Sequence, residues 1–232
     1  KEYRDAGPSP RIEATGMGAT WKNLVVLSNT AATHGYGPLR WSVFDRLYGA
    51  YTDGNGPRPT SPLNPDPASA MNRLLGVRYI VQPAGTSAES TPVLDNGAEL
   101  VYSDAKAEVV LLANDLQRVL TPSVAKLVDL SQVSAQHFQN TDFTRQLWLT
   151  PRTAAEATVL DDLLTGCHGS VHVESSHATH VQVDVVTSSA APGWLVITDL
   201  DFPGWITPID GLEVPHWRAN GMLIEVCVPR GR

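Results

Sequence analysis

Short apolar runs bounded by turn-forming residues dominate the hydrophobic pattern of the first 150 residues. Each run has the length of a buried strand and is rich in β-branched or aromatic residues. The four runs span residues 23–27, 78–82, 99–102 and 109–113. Before the second run, Ala70, Met71, Leu74 and Leu75 follow a helical spacing that Gly76 closes. Helix and strand patterns that alternate in this way predict a mixed α/β subdomain over residues 1–150.

The pattern changes after residue 150. Thr153 and Glu156 have the spacing of a capping box and predict a helix over 153–164 that Gly166 ends. Clean alternation follows at 179–185, with further strand-like runs at 194–198 and 222–228. We therefore expect residues 151–232 to form a helix followed by a β-sandwich of jelly-roll or immunoglobulin-like type. The predicted fold class of the whole chain is α+β.

Charge and motif content exclude several function classes. The chain carries 17 Lys and Arg residues against 24 Asp and Glu residues, a net charge of -7. It therefore lacks the basic footprint that a nucleic-acid-binding protein needs. No Gly-x-Gly-x-x-Gly, P-loop or Gly-x-Ser-x-Gly motif is present, so the sequence predicts no cofactor and no catalytic residue. No apolar stretch reaches the ~18 residues of a transmembrane helix.

The most informative segment is a chain of hairpins over residues 191–232. Asp210-Gly211 and Asn220-Gly221 are strong hairpin-turn pairs, because glycine tolerates positive φ. Five runs of the segment follow one another in a characteristic order: Leu195-Val196-Ile197, Pro203-Gly204-Trp205, Asp210-Gly211, Arg218-Ala219-Asn220-Gly221 and Val228-Pro229-Arg230-Gly231. In the order and spacing of these runs, the segment resembles the C-terminal extracytoplasmic domain of the YfhO-like family of bacterial membrane proteins. Residues 1–150 resemble that family more loosely, in "GYGPLRWSVFDRLYGAY" and "LNPDPASAMNRLLGVRYIVQP".

This resemblance implies a function for the protein to which the chain belongs. The family consists of multi-spanning proteins with a C-type glycosyltransferase architecture, thought to use polyprenyl-phosphate sugars on cell-envelope polymers. The chain is then expected to be a soluble accessory domain on the extracytoplasmic face of the bacterial membrane. Its partners would be the membrane-embedded remainder of the same polypeptide and an envelope glycan or lipid-linked sugar. The family's catalytic acid lies on a loop of the membrane part, so no catalytic residue is carried over.

Five residues of this segment are candidates for binding, and each also has a structural interpretation. Pro203-Gly204-Trp205 is either a bend around a buried Trp or an exposed indole that stacks on a sugar. Asp210-Gly211 is either a plain hairpin turn or part of a polar rim. The candidate binding residues are Trp205, Trp217, His216, Asp210 and Asn220.

Histidine and cysteine residues supply two further hypotheses. His168, His172, His177 and His180 lie close together, but their spacing matches no standard metal site, and a solvated strand face explains them better. Cys167 and Cys227 form either one disulfide, allowed outside the cytoplasm, or two free thiols. Alternation along the last strand places Cys227 on the same face as Glu225.

Two other function classes remain open at the level of sequence. A parent protein without membrane helices would favour a stand-alone carbohydrate- or protein-binding β-sandwich module. A soluble enzyme would require a concave pocket at the carboxyl ends of the strands in the α/β part.

Overall fold

The computed structural model is mostly β, with several separate sheets and a few short helices. Its described residues fall into two compact units. The first unit is built from residues up to 117 and from 138–140, and the second from 118–137 and 141–231. The residues described are 11–17, 31–33, 42–44, 46–47, 69–86, 98–112, 118–177, 182–187 and 191–231.

The first unit contains a four-stranded sheet of order β1-β2-β4-β3. Strands β1 and β2 are parallel, and the other neighbours are antiparallel. Three of the four predicted strands are confirmed here, while the run at 23–27 lies outside the described residues. The strands are β1 (Arg11–Ala14), β2 (Val77–Pro83), β3 (Glu99–Ser103) and β4 (Ala107–Leu111).

The burial predicted for residues 99–102 is wrong. Strand β3 pairs with β4 at the edge of the sheet, and every one of its residues is exposed. Its apolar residues fit the pattern of a buried strand, but at the edge of the sheet their side chains are in contact with water.

Helix α1 (Ala70–Leu74) confirms the helical spacing before β2. It begins because the Ser69 hydroxyl accepts a hydrogen bond from the backbone N–H of Asn72 at 3.2 Å. Gly76, with φ of 70°, turns the chain into β2. Met71 and Leu74 are fully buried, so the apolar face of this short helix supplies the stabilisation that its length cannot.

A six-stranded sheet of order β5-β10-β14-β13-β7-β6 organises the second unit. Three of its strands come from residues that the sequence pattern assigned to the first domain. The boundary between the units therefore lies near residue 118 rather than at 150, because these short strands hydrogen-bond within the second unit. The strands are β5 (Val119–Leu120), β6 (Val124–Leu127), β7 (Gln146–Leu149), β10 (Gly193–Leu200), β13 (Trp217–Ala219) and β14 (Leu223–Val228).

Two antiparallel hairpins pack on one face of this sheet. Strand β8 (Val171–His177) pairs with β9 (Gln182–Thr187), and β11 (Thr207–Ile209) pairs with β12 (Leu212–Val214). The inward side chains of both hairpins contact a core that includes Leu195 of β10 and Val226 and Val228 of β14. The packed hairpin residues are Val173, Val183, Val185, Ile209 and Val214.

Helix α3 (Ala154–Gly166) begins at the predicted cap, where the Thr153 hydroxyl accepts the N–H of Glu156 at 3.1 Å. The Glu156 carboxylate does not return to the cap residue. It accepts the N–H of Arg152 at 2.6 Å, one residue earlier than a capping box requires.

A 3-10 turn (Leu130–Gln132) and helix α2 (Ala135–Gln139) lie between β6 and β7. In the described part of the chain, no helix is long and apolar enough to cross a membrane.

A disulfide joins the end of α3 to the last strand. Cys167, directly after the helix, is bonded to Cys227 of β14 across a sequence separation of 60, with a Cα–Cα distance of 6.0 Å. Of the two alternatives that the sequence left open, the structure shows the bridge. Closing a loop of this size stabilises the folded state by roughly 4 kcal/mol in the chain-entropy treatment.

Strand β14 is covered on both faces, and this buries the carboxyl group of Glu225. The side chain is 0% exposed, and neither carboxyl oxygen has a hydrogen-bond partner among the described residues. Burial raises the pKa of Glu225 well above its ordinary value of 4.5, because the ionised form would lose its hydration. Glu225 and Cys227 alternate with Ile224 and Val226 as expected, but the face they share is not solvated.

We expect this carboxyl to make stability depend on pH. As pH rises above about 4.5, the unfolded chain ionises Glu225 while the folded chain keeps it protonated, so the free energy of unfolding falls until the raised pKa is passed. Glu225→Gln should flatten this slope and be more stable than the native chain at pH 8 by on the order of 1 kcal/mol. Urea denaturation between pH 4 and pH 8 measures both effects. Glu99→Gln, in exposed β3, is the matched control, and equal slopes for all three proteins would contradict the assignment.

Candidate functional site

A cleft of about 530 Å³ opens where β10 ends. Its walls are the loop that follows β10, the base of the β11–β12 hairpin, and the residue before the α3 cap. We call it the Asp201 cleft, after the carboxylate on which its polar side chains converge. It is lined by Arg152, Asp201–Thr207 and Glu213–His216.

A break in strand register positions Asp201. Between Ile197 and Leu200, β10 slips against β14, and the intervening Asp199 forms a two-contact ion pair with Arg118 at 2.6 and 2.7 Å. The backbone N–H of Asp201 then donates to the carbonyl of Met222 at 2.8 Å. The carboxylate is therefore anchored at the end of the sheet, where the chain turns away.

Gly204 allows the chain to turn towards the hairpin. Its φ of 102° lies where side-chain-bearing residues are strained, although nothing would contact a Cβ there. The Pro-Gly-Trp run therefore encodes a bend, as one of the two sequence interpretations held. The indole that follows is not buried by that bend.

Three cationic or protonatable side chains converge on the Asp201 carboxylate, which is 3% exposed. The Arg218 guanidinium donates to one oxygen from Nε at 3.2 Å, and Nη1 of Arg152 lies 3.7 Å from the same oxygen. The His216 Nε2 atom lies 3.4 Å from the other oxygen. A buried carboxylate is tolerated here because positive charge compensates for its lost hydration.

The network extends outward at both ends. His216 Nδ1 is 3.1 Å from the Thr207 hydroxyl at the start of β11. Arg152 also pairs with Glu156 at 2.7 Å, and this hydrogen-bonded contact raises the pKa of Arg152 further. Burial pushes the pKa of Glu156 up, but the hydrogen bonds from Arg152 outweigh it and the net pKa is lowered. Both groups therefore stay charged at neutral pH.

Apolar surface surrounds the mouth of the cleft. Phe202 is 44% exposed, Trp205 is 41% exposed, and Ile206 is 63% exposed. Three large apolar side chains within five residues form a concentrated patch on an exposed loop. The second sequence interpretation of Trp205, an indole accessible to a ligand, fits this exposure.

The order carboxylate, imidazole, hydroxyl at Asp201, His216 and Thr207 is that of a catalytic triad. Two features weaken that comparison. The carboxylate is already engaged by two guanidinium groups, and its 3.4 Å separation from His216 is long for a hydrogen bond. The arrangement is better suited to binding, because it offers fixed donors and acceptors beside apolar rings.

Within the described residues, no three His, Cys, Asp or Glu side chains are grouped so that they could hold a metal ion. His168 and His172 are exposed, as a solvated strand face requires. The side chain of His177 and the whole of His180 lie outside the described residues.

The structure separates the five candidate residues predicted from sequence. Trp205 and His216 meet in the Asp201 cleft, whereas Asp210 lies in the β11–β12 turn and lines a neighbouring groove. Trp217 is half-buried in β13, opposite Glu225, and lines neither cavity. Asn220 is a structural residue: it is 1% exposed, its φ is 50°, and its side-chain oxygen accepts the N–H of Trp148 at 2.9 Å.

Sequence reasoning missed the residues that hold the cleft together. Asp201, Arg152 and Thr207 come from three separate elements, and no short motif joins them. The usable signal was a carboxylate at the end of a buried strand, directly before Pro203-Gly204-Trp205. Polar residues at strand ends are common in binding sites, because the strand fixes them at the edge of a rigid sheet.

We expect Asp201→Ala to destabilise the chain by about 2 to 3 kcal/mol, because the substitution removes the carboxylate that balances partly buried positive charge. Glu213→Gln is the matched control: it also lines the cleft but is exposed, and it should change stability by less than about 0.5 kcal/mol. Urea denaturation of the three proteins at pH 7 makes the comparison. Equal midpoints for the two variants would show that the Asp201 network does not stabilise the fold.

Comparison with known proteins supplies no relative from which a function could be inferred. No protein-family model, curated protein or solved structure matches the chain. The resemblance of residues 191–232 to the YfhO-like family stays a prediction from the sequence. The chemistry of the Asp201 cleft is therefore the direct basis on which a function can be proposed.

Proposed function

We propose that the chain is an extracytoplasmic accessory domain of a multi-spanning membrane glycosyltransferase-like protein, and that it binds a glycan at the Asp201 cleft. The observation that carries the binding role is a fixed polar network beside exposed aromatic rings in one cleft. The resemblance to the YfhO-like family supplies the parent protein.

A sugar requires the mixture of groups that this cleft offers. Its hydroxyl groups both donate and accept hydrogen bonds, and the cleft presents guanidinium and imidazole donors beside the exposed carboxylate of Glu213. Its C–H face is apolar and stacks on an aromatic ring such as Trp205. Because contacts within the protein hold Arg152 and His216, little side-chain entropy is lost on binding.

Binding describes this domain better than catalysis. A general base needs a carboxylate or imidazole that is free to accept a proton from the substrate. The Asp201 carboxylate instead makes its contacts to Arg218, Arg152 and His216. In this proposal the domain holds or orients a glycan, and the membrane part of the parent protein carries the chemistry.

The finer description of the fold belongs to the same proposal. The second unit is a β-sandwich-type subdomain, which the packing of both hairpins on one face of the six-stranded sheet supports. The first unit is a mixed α/β subdomain, which the parallel β1–β2 pair and the helix leading into β2 support. Both cavities described here are built from residues of the second unit.

The proposed compartment gains support from the disulfide. Bonds such as Cys167–Cys227 persist in oxidising environments and are rare where thioredoxin and glutathione keep thiols reduced. An extracytoplasmic location provides the oxidising environment that the bond needs.

We expect the full-length native protein to stay in the membrane fraction after alkaline extraction. Cys167 and Cys227 in it should react with a maleimide only after reduction, because the pair is oxidised where the protein resides. Mass spectrometry of alkylated peptides reads out the thiol state. A soluble native product near 25 kDa would contradict the membrane assignment and favour a stand-alone carbohydrate- or protein-binding module.

We expect Trp205→Ala to weaken glycan binding by about tenfold, the loss of roughly one stacking contact. Binding is measured by calorimetry against hexose and N-acetylhexosamine oligosaccharides, with thermal unfolding as the check on folding. Tyr102→Ala removes an aromatic residue that is 53% exposed in β3, outside the cleft, and is the matched control. If both variants bind as the native chain does, the cleft is not the glycan site.

A further inference from the structure

An apolar groove of about 590 Å³ lies next to the Asp201 cleft. Its floor is the face of the six-stranded sheet formed by β10 and β14, and strands β9 and β11 form its sides. The wall residues Val183, Val185 and Ile209 are partly buried, so their side chains keep apolar surface facing the groove. The floor residues are Leu195, Ile197, Ile224, Val226 and Val228.

The groove and the cleft adjoin each other. Trp205, Ile206 and Thr207 line both of them, so we consider the two cavities together as one combined site. One end of the combined site is polar and holds the Asp201 network. The other end has a floor of valine, leucine and isoleucine side chains.

The charges along the groove restrict what it accepts. Three carboxylates, Glu174, Asp184 and Asp210, line it, and no Lys or Arg is among its described lining residues. An anionic group in the groove would therefore lie close to side chains of like charge. The cleft carries both signs of charge, which suits an uncharged head with many hydroxyl groups better than a phosphate or a carboxylate.

The size of the groove fits one aliphatic chain. A methylene group takes about the same volume as a water molecule in the liquid, roughly 30 Å³, so the groove accommodates on the order of ten to twenty carbons. Its volume lies inside the range of about 300 to 1,000 Å³ typical of small-molecule sites.

We infer that the combined site binds a single-chain amphiphile, with an uncharged sugar head in the Asp201 cleft and its aliphatic chain in the groove. The inference rests on the proposed function, since it takes the cleft as the glycan site. It adds the chemical class of the ligand: a neutral glycolipid rather than a free oligosaccharide. Recognition divides between hydrogen bonds at the head and burial of the chain, and Trp205 and Ile206 lie at the junction.

Alkyl β-glucosides test the inference on the full 232-residue chain. Methyl, hexyl, octyl and decyl glucosides are titrated by calorimetry below their micelle concentrations. Each added pair of methylene groups should tighten binding by about ten- to fifteenfold until the groove is filled, with one site per chain. Sodium octyl sulfate, which has the same chain length as octyl glucoside and an anionic head, should bind at least tenfold more weakly.

Variants locate the effect within the molecule. Ile206→Ser changes the junction residue, and Val185→Phe places a larger ring in the groove from its partly buried wall. Val185→Phe should reduce the binding of octyl glucoside by about tenfold and leave that of methyl glucoside unchanged. Ile206 lines the cleft as well as the groove, so Ile206→Ser should weaken the binding of octyl glucoside more than that of methyl glucoside. Leu212→Ser is the matched control, because this 67% exposed residue of the same hairpin lines neither cavity. Ile206→Ser lies at the surface, so the test does not depend on whether Val185→Phe folds.

The outcomes separate the inference from the proposed function. Equal affinity for methyl and octyl glucoside would overturn the inference and leave the glycan-binding function standing. Equal or tighter binding of octyl sulfate would overturn the neutral-head assignment. Loss of chain-length dependence in Leu212→Ser as well would show that the chain binds elsewhere, and would overturn the groove. If neither glucosides nor oligosaccharides bind, both proposals fail.

Discussion

The pairing of β10 with β14 is the constraint on which the second unit depends. These two strands lie side by side within the six-stranded sheet, and their residues from Trp194 to Val196 and from Leu223 to Val226 are buried. β5 pairs along the outer side of β10, and β13 pairs along the outer side of β14. Both hairpins rest on one face of the pair, while the disulfide attaches the end of α3 to β14. A one-residue slip would exchange the two faces of each strand and misplace all of these contacts together.

Burial on both faces of β14 also explains why the fold keeps a buried carboxyl group there. Glu225 lies among residues whose apolar surface contributes about 25 cal/mol for each Å² removed from water. Leu223, Ile224 and Val226 are all buried, and their combined contribution exceeds the 1–3 kcal/mol that an unsatisfied polar group costs. The fold therefore tolerates an unpaired carboxyl at its centre. The carboxyl responds by favouring its neutral form, which is the cheaper of its two states in that environment.

Sequence pattern predicted what depends on local contacts. The Thr153 cap, the Asn220-Gly221 and Asp210-Gly211 turns, and the longer strands follow from residues within about eight positions of each other. The pattern failed where a partner far along the chain decides the outcome. Strands β5 and β7 have two and four residues, too few to show a period, and they exist because β10 and β13 bind them. The exposure of β3 likewise depends on its position at the edge of the sheet, which its own residues do not determine.

The same distinction between local and distant contacts applies to the residues of the candidate site. The sequence predicted Trp205 and His216 as binding residues, because aromatic and imidazole side chains next to turn motifs can be recognised from the sequence alone. It could not supply Asp201 as the centre, since the groups that reach that carboxylate come from two distant parts of the chain, Arg152 from one and His216 and Arg218 from the other. Asn220 was predicted to be a binding residue, but the structure buries it, because contacts with a distant strand decide its environment. A polar residue in a turn pair is typical of a surface, but here the turn packs against β7 and the amide replaces a backbone partner for Trp148.

The neighbouring polar and apolar cavities both border the β11–β12 hairpin. Each strand of this hairpin has three residues, whereas β8 and β9 have seven and six. The groove has an apolar floor, because the period-two alternation of β10 and β14 points Leu195, Ile197 and Val226 towards it. The cleft is polar because it lies where β10 has ended, and backbone and side chains there must find partners outside the sheet ladder. Gly204 and the register slip near Asp199 bring these two surfaces to the same loop. The amphipathic character of the site thus follows from where the strands end.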